Sequence, residues 1–182
     1  PPRAPLRRVL RRVCVFFFLR VRRPPRSTLV PYTTLFRSQL GLHPDIEIKP
    51  AEGRETETAR AVMAEVLAVW PAAAPPPLIT SINHDCLRIA RELAPDWPRG
   101  LVCFRYPRNW RALLEDLACG ILICKDNLLD RRRVERVTGA GYALMAFTVN
   151  RPRRAATLFS WGVSSIITDR PEDILAVASQ SL

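Results

Sequence analysis

The sequence predicts an α/β fold in which a parallel sheet is covered by helices, and three observations carry that reading. From Gln39 onward short apolar runs alternate strictly with amphipathic helical patterns, which is the signature of strand–helix–strand units. The runs begin near residues 45, 78, 100, 120, 143 and 164, about twenty residues apart after a longer first unit. No GxGxxG or GxxxxGKS follows any of them, which weighs against dinucleotide and P-loop binding. Periodicity alone leaves a doubly wound sheet and a barrel both open.

The first strand is Asp45 to Pro50, where Ile46 and Ile48 fall on one face and Glu47 and Lys49 on the other before the proline stops it. Ala59, Val62, Met63, Val66 and Trp70 follow at helical spacing, with Glu57, Arg60 and Glu65 on other faces. Pro71 to Pro77 is a proline and alanine linker to the second strand, Leu78 to Ile82. Asn83 then caps a helix through Leu87, Ala90 and Leu93. Gly100 to Phe104 is the third strand, and Asn109 caps a helix lined by Trp110, Leu113, Leu114 and Leu117.

Gly120 to Cys124 is the fourth strand, before a helix from about Asp130 with Val134 and Val137 inward. Tyr142 to Val149 is the fifth, and the next helix starts near Asn150 and Pro152. Ser164 to Thr168 is the sixth. Asp169, Pro171 and Glu172 have the spacing of a cap with a reciprocal acid, opening a last helix through Ile174, Leu175 and Ala178.

With 182 residues and a formal charge of +11, the chain has room for one domain and invites a nucleic-acid reading. The charge is not spread evenly. Residues 1–38 hold ten arginines and no acid, leaving about +1 for everything from Gln39 onward. Arg22 to Ser38 (RRPPRSTLVPYTTLFRS), with FFFLRV before it, resembles translated sequencing-adapter read-through. Residues 1–38 are therefore set aside as a non-native, disordered basic head, and its arginines lack the spacing of DNA-reading motifs. The apolar run Val13 to Leu19 is too short to span a bilayer and has no cleavage site after it. Five cysteines without a CxxC pair read as reduced thiols of a cytoplasmic protein.

Four segments in order, IEIKPAEGRE, LITSINHDCLRIARELAPDWPRGLV, ALMAFTVNRPRRAATLFSWGV and SIITDRPEDIL, resemble the glycerophosphodiester phosphodiesterase family across residues 39–182. The resemblance implies a TIM-type (β/α) barrel with its chemistry at the carboxyl ends of the strands. Six βα units make an incomplete barrel, whose strands at Ile46 and Ile166 would keep open edges. The family's HRG, Glu-x-Asp and second His-Asp segments precede EIK and have no counterpart here, so the resemblance implies the C-terminal part of a longer enzyme.

By the same resemblance Glu47 and Lys49 are the EIK residues. Glu47 would be one carboxylate ligand of a divalent ion, Mg²⁺ or Ca²⁺, and Lys49 a cation beside the phosphate. The plainer reading is that the two neutralise each other. Ser81 is a substrate contact or a capping hydroxyl. Phe147, Thr148 and Asn150 match an aromatic-Thr-Val-Asn strand end, with Phe147 and Asn150 as substrate contacts, or Asn150 as a helix cap. Cys124 to Asn127 (CKDN) departs from the His and Asn often found after this strand in close bacterial relatives. His84 and Asp85 spell HD at a helix start and read as surface polar residues. His43 precedes the first strand, at the wrong end for chemistry.

The implied reaction is hydrolysis of a small-molecule glycerophosphodiester to an alcohol and glycerol 3-phosphate. This chain, lacking the upstream motifs, is expected to be inactive alone. The alternatives are a non-catalytic phosphoester-binding or interaction domain derived from the same barrel, and a nucleic-acid binder that would depend wholly on the head. Neither a transmembrane segment nor a nucleic-acid partner is expected, and oligomeric state is open.

Overall fold

The computed structural model describes residues 43–178. The basic head at 1–38, with Cys14, lies outside the described residues, as do Gln39 to Leu42 at the start of the body. The described residues fall into two compact units, one of residues 43–101 with 115–119 and the other of residues 102–114 with 120–178.

In the first unit β1 (Asp45–Glu47), β2 (Leu78–Ser81) and the start of β3 (Arg99–Cys103) run parallel. Ile46 pairs with Ile79, and Ile79 in turn with Arg99. Beyond β1, Ile48 N donates to Thr80 O at 2.7 Å. Asp45, Ile46, Glu47 and Ile48 are all buried, the polar face as well as the apolar one. A strand of a parallel sheet is covered on both sides, so its polar face turns inward rather than to water.

Helix α1 (Glu55–Val69) buries Ala59, Val62, Met63 and Val66, the i, i+3, i+4, i+7 stripe of an amphipathic helix. These side chains join Ile46, Ile48 and Ile79 in one core together with Cys86, Ile89 and Ala90 of α2 (His84–Leu93). Trp70 was expected to continue the helix. Its ψ of 124° ends it, because Pro71 disfavours helical backbone in the residue before it. Asn83 caps α2 as expected, its Oδ1 accepting from Asp85 N at 2.9 Å and Cys86 N at 3.1 Å.

In the second unit β4 (Ile121–Lys125), β5 (Ala143–Phe147) and β6 (Ser165–Ile166) are parallel, in register from Ile121 opposite Ala143 to Lys125 opposite Phe147. Helix α3 (Trp110–Asp116) begins here, with Leu113 N donating to Asn109 O, which puts Asn109 at the N-cap position. Trp110 meets Tyr142 edge to face at 5.6 Å. A 3-10 turn (Asp126–Leu128) precedes α4 (Arg131–Gly139), whose Asp130 side chain accepts from Arg133 N and whose Val134 and Val137 are buried.

Helix α5 (Pro152–Trp161) has its proline in the first turn and ends on Gly162 at φ 105°. Val163 N donates to Leu158 O at 3.1 Å, the six-to-one bond of a left-handed helix terminus. An added Cβ at Gly162 would meet only Thr138 Oγ1, at 3.8 Å. Gly162→Ala is therefore expected to cost about 1–2 kcal/mol through the backbone alone, with no crowding contribution. A loss of chemical-denaturation stability well outside that range would point to packing instead.

Helix α6 (Pro171–Ala178) corrects one expectation. Ile174 N donates to Arg170 O, so Arg170, not Asp169, holds the N-cap position. The Asp169 carboxylate instead accepts from Asn150 Nδ2 at 3.1 Å.

Candidate active site

Glu47 closes β1, and Lys49 follows two residues on. Their side chains meet in an ion pair, Lys49 Nζ to Glu47 Oε2 at 3.0 Å, with the glutamate side chain only 6% exposed and the lysine 32%. A buried carboxylate is costly unless a cation and hydrogen bonds compensate it.

Ser81, the last residue of β2, is fully buried. Its Oγ donates to Ile48 O at 2.7 Å and accepts from Asn83 N at 3.0 Å. It thus ties the chain just after Glu47 to the turn that opens α2. Asp45, read from the sequence only as a strand start, is buried on the same strand face as Glu47. Thr80 Oγ1 donates to its Oδ1 at 2.8 Å, while Oδ2 has no partner among the described residues. Burial pushes its carboxyl up to about 7, against the opposing Thr80 bond, with the Glu47 charge adding to the rise and Lys49 opposing it.

In the second unit three side chains meet at the carboxyl ends of strands. Phe104 follows β3, Lys125 ends β4 and Phe147 ends β5. Phe104 and Phe147 are edge to face at 5.4 Å, and Lys125 Nζ lies 4.9 Å from the Phe104 centroid. In the sequence Phe104 marks only the end of a strand and Lys125 falls in the CKDN departure from the family pattern. The signal that could have found them is a large aromatic and a cation at successive strand ends.

Asn150 stands in the loop after β5. Its Oδ1 accepts from Thr168 Oγ1 at 3.0 Å and Asp169 N at 2.9 Å, so its side chain joins two strand-end loops rather than capping α5. The α5 N-cap position is Arg151, without a side-chain cap bond.

His84 opens α2 shortly after Ser81 ends β2, and Asp85 pairs with Arg88 on that helix. His43 precedes β1, and burial lowers its pKa. The four described cysteines, Cys86, Cys103, Cys119 and Cys124, are free and buried. A hydrogen bond to Cys103 and burial both push the Cys124 thiol up, far from reactive thiolate.

Among the described residues no three His, Cys, Asp or Glu side chains gather as a metal site. Hard divalent ions need several oxygen ligands, and Glu47 already faces Lys49, so the described residues alone do not fit such an ion.

Strictly alternating βα units with parallel strands in both units define the α/β class. The model of the glycerophosphoryl diester phosphodiesterase family matches residues 23–173, and the chain belongs to that family. The match begins at Arg23, inside the stretch set aside in the sequence analysis. A phosphodiesterase from Oleispira antarctica, solved with the product sn-glycerol-3-phosphate, is similar at 31% identity and a TM-score of 0.78, over 82% of this chain and 60% of that one. A glycerophosphodiester phosphodiesterase from Parabacteroides distasonis is similar at 18% identity and a TM-score of 0.68, over 83% of this chain and 63% of that one. This chain therefore spans about three-fifths of the length of these structures, as an incomplete TIM-type barrel of about six βα units. No curated protein matches it in sequence. No helix among the described residues is long and apolar enough to cross a membrane.

Proposed function

We propose that the chain is part of a phosphoric diester hydrolase that turns a glycerophosphodiester and water into an alcohol and glycerol 3-phosphate. The observation that carries this reading is the Glu47–Lys49 pair at the carboxyl end of β1 in a chain of this family. The partly exposed Lys49 side chain supports a role in receiving a phosphate oxygen, whose charge grows as the phosphorus is attacked. Glu47 orients the lysine and would be one oxygen ligand of a Mg²⁺ or Ca²⁺ whose other ligands are not among the described residues. Phe147, Asn150 and Ser81 shape the substrate side, Asn150 and Ser81 by holding strand-end loops in place. The location we assign is cytoplasmic, in keeping with four buried free thiols.

Phosphodiester hydrolysis also needs a proton donor or acceptor within reach of the reacting oxygens. His43 precedes β1 and His84 belongs to the first turn of α2, and among the described residues neither bonds to Glu47 or Lys49, which favours an inactive chain and keeps a second reading open: a non-catalytic phosphoester-binding domain from the same barrel. Release of glycerol 3-phosphate, followed by a coupled dehydrogenase with Mg²⁺ or Ca²⁺, tests both. The 182-residue chain is expected to give none from glycerophosphocholine or glycerophosphoethanolamine. A form extended to the length of its solved relatives is expected to be active, and Glu47→Gln or Lys49→Met should each lower its turnover about a hundredfold, the scale of one lost electrostatic contact. An inactive extended form would favour the binding domain. Turnover by the short chain that His84→Ala abolishes would move the active site to α2.

A further inference from the structure

We propose that the second unit carries a basic face, built by Arg105, Arg108, Arg132 and Arg136 around Tyr106, that docks the chain on an anionic phospholipid surface.

The two units differ in charge. Among the described residues the second holds twelve lysines and arginines against six acids, whereas the first holds six against eleven. A basic excess is available to a partner only where its charges are exposed and not spent on neighbouring carboxylates. Two elements of the second unit meet that condition side by side.

One is the loop after β3, from Phe104 to Arg108 (FRYPR), in which Arg105 and Arg108 are exposed. The other is α4, where Arg132 and Arg136 are exposed one turn apart and so share a face. Tyr106 joins the two. The Arg133 guanidinium lies 5.0 Å from its ring. Burial pushes the Tyr106 pKa up, opposed first by the Arg136 charge, which therefore also stands near the hydroxyl. The acids of α4 and its cap are turned to other partners, Glu135 to Arg131 at 2.8 Å and Asp130 to Arg133 at 3.5 Å. Among the described residues Arg105, Arg108, Arg132 and Arg136 are ion-paired with no carboxylate.

Phosphate-rich surfaces come as nucleic acid or as lipid, and the aromatic rings separate them. Single-stranded nucleic acid stacks its bases on open aromatic faces. Here Tyr106 has Arg133 over its ring, and Phe104 has Lys125 Nζ at 4.9 Å from its centroid. A bilayer surface needs no stacking platform. It takes arginines whose heads reach the phosphate level and an aromatic at the rim, and Phe104 is 49% exposed next to Arg105.

Co-sedimentation of the 182-residue chain with phosphatidylcholine vesicles, with and without phosphatidylserine, tests the face. The ten arginines of residues 1–38 are common to every variant, so the face is read as a difference between variants. The chain is expected to prefer the phosphatidylserine vesicles and to bind them less tightly as salt rises. Arg105→Gln with Arg108→Gln, and Arg132→Gln with Arg136→Gln, should each weaken that binding about twentyfold, at about fivefold per arginine, and leave the thermal midpoint in place as exposed substitutions do. Lysine at the same positions should keep the binding, because a surface potential reads charge rather than the guanidinium fork. Arg54→Gln with Arg60→Gln takes the same charge from the first unit and should change little. The proposal is overturned if the chain ignores phosphatidylserine, if the paired glutamine variants bind as wild type does, if the lysine variants lose binding while folded, or if the Arg54 and Arg60 pair loses as much. Loss of single-stranded oligonucleotide binding in the glutamine variants, with vesicle binding intact, would overturn it in favour of nucleic acid.

Discussion

Arg99→Met is expected to lower the thermal midpoint by roughly 6–12 °C, corresponding to about 3 kcal/mol in a domain of this size. Arg99 starts β3 and is 6% exposed, yet among the described residues it pairs with no carboxylate. Its guanidinium instead serves main-chain carbonyls. Nη1 donates to Ala94 O at 3.0 Å, Pro95 O at 3.1 Å and Trp97 O at 2.8 Å, and Nη2 to Ala118 O at 3.3 Å. Ala94, Pro95 and Trp97 follow the end of α2 and Ala118 follows the end of α3, where helices leave carbonyls without partners and carry partial negative charge. Methionine fills much of the volume but satisfies none of the four, and each lost bond costs about 1 kcal/mol or more. Burial disfavours the charge and lowers the arginine pKa, which offsets part of the loss. Arg99→Lys should fall between the two, since a compact ammonium cannot span the same fork of acceptors. A midpoint within a degree of wild type for Arg99→Met would show that water replaces the guanidinium at no cost.

Asp45→Asn should stabilise the protein, and by an amount that grows with pH. In the folded state the Asp45 carboxyl titrates at about 7, against 3.8 ordinarily. Below about pH 4 the group is neutral in both states and the substitution should be nearly silent. As pH rises through that window the unfolded chain ionises first, so wild-type stability falls until the folded group has ionised too. The full difference corresponds to about 4 kcal/mol, and on the order of 2–4 kcal/mol should be measurable once an asparagine amide takes the unpartnered Oδ2 position. Urea midpoints at pH 5 and pH 8 check this. Parallel profiles for the two proteins would mean that Asp45 is ionised in the fold at both.

The residues behind these two effects show where sequence reading stops. Among the described residues alternation placed the six strands and six α-helices, because apolar period and caps such as Asn83 and Asp130 act within a few residues. Asp45 and Arg99 depend on partners far along the chain, Thr80 for one and Ala118 for the other, so no local spacing marks them. Asn150 is the same case. Its neighbours suggested a cap, but its partners Thr168 and Asp169 lie on the loop after the next strand. Glu47 and Lys49 were legible through the family pattern, whereas their 3.0 Å pairing and the burial of the glutamate needed the fold.

The four tryptophans are divided evenly, Trp70 and Trp97 in the first unit and Trp110 and Trp161 in the second. Trp70 and Trp97 sit edge to face at 6.2 Å, while Trp161 carries the Arg154 guanidinium 5.2 Å from its ring. Each unit thus contains its own emitter in a distinct surrounding. Replacing both tryptophans of one unit by phenylalanine yields a chain whose fluorescence reports the other alone. Overlaying two such unfolding curves shows whether the halves melt in one step or in succession.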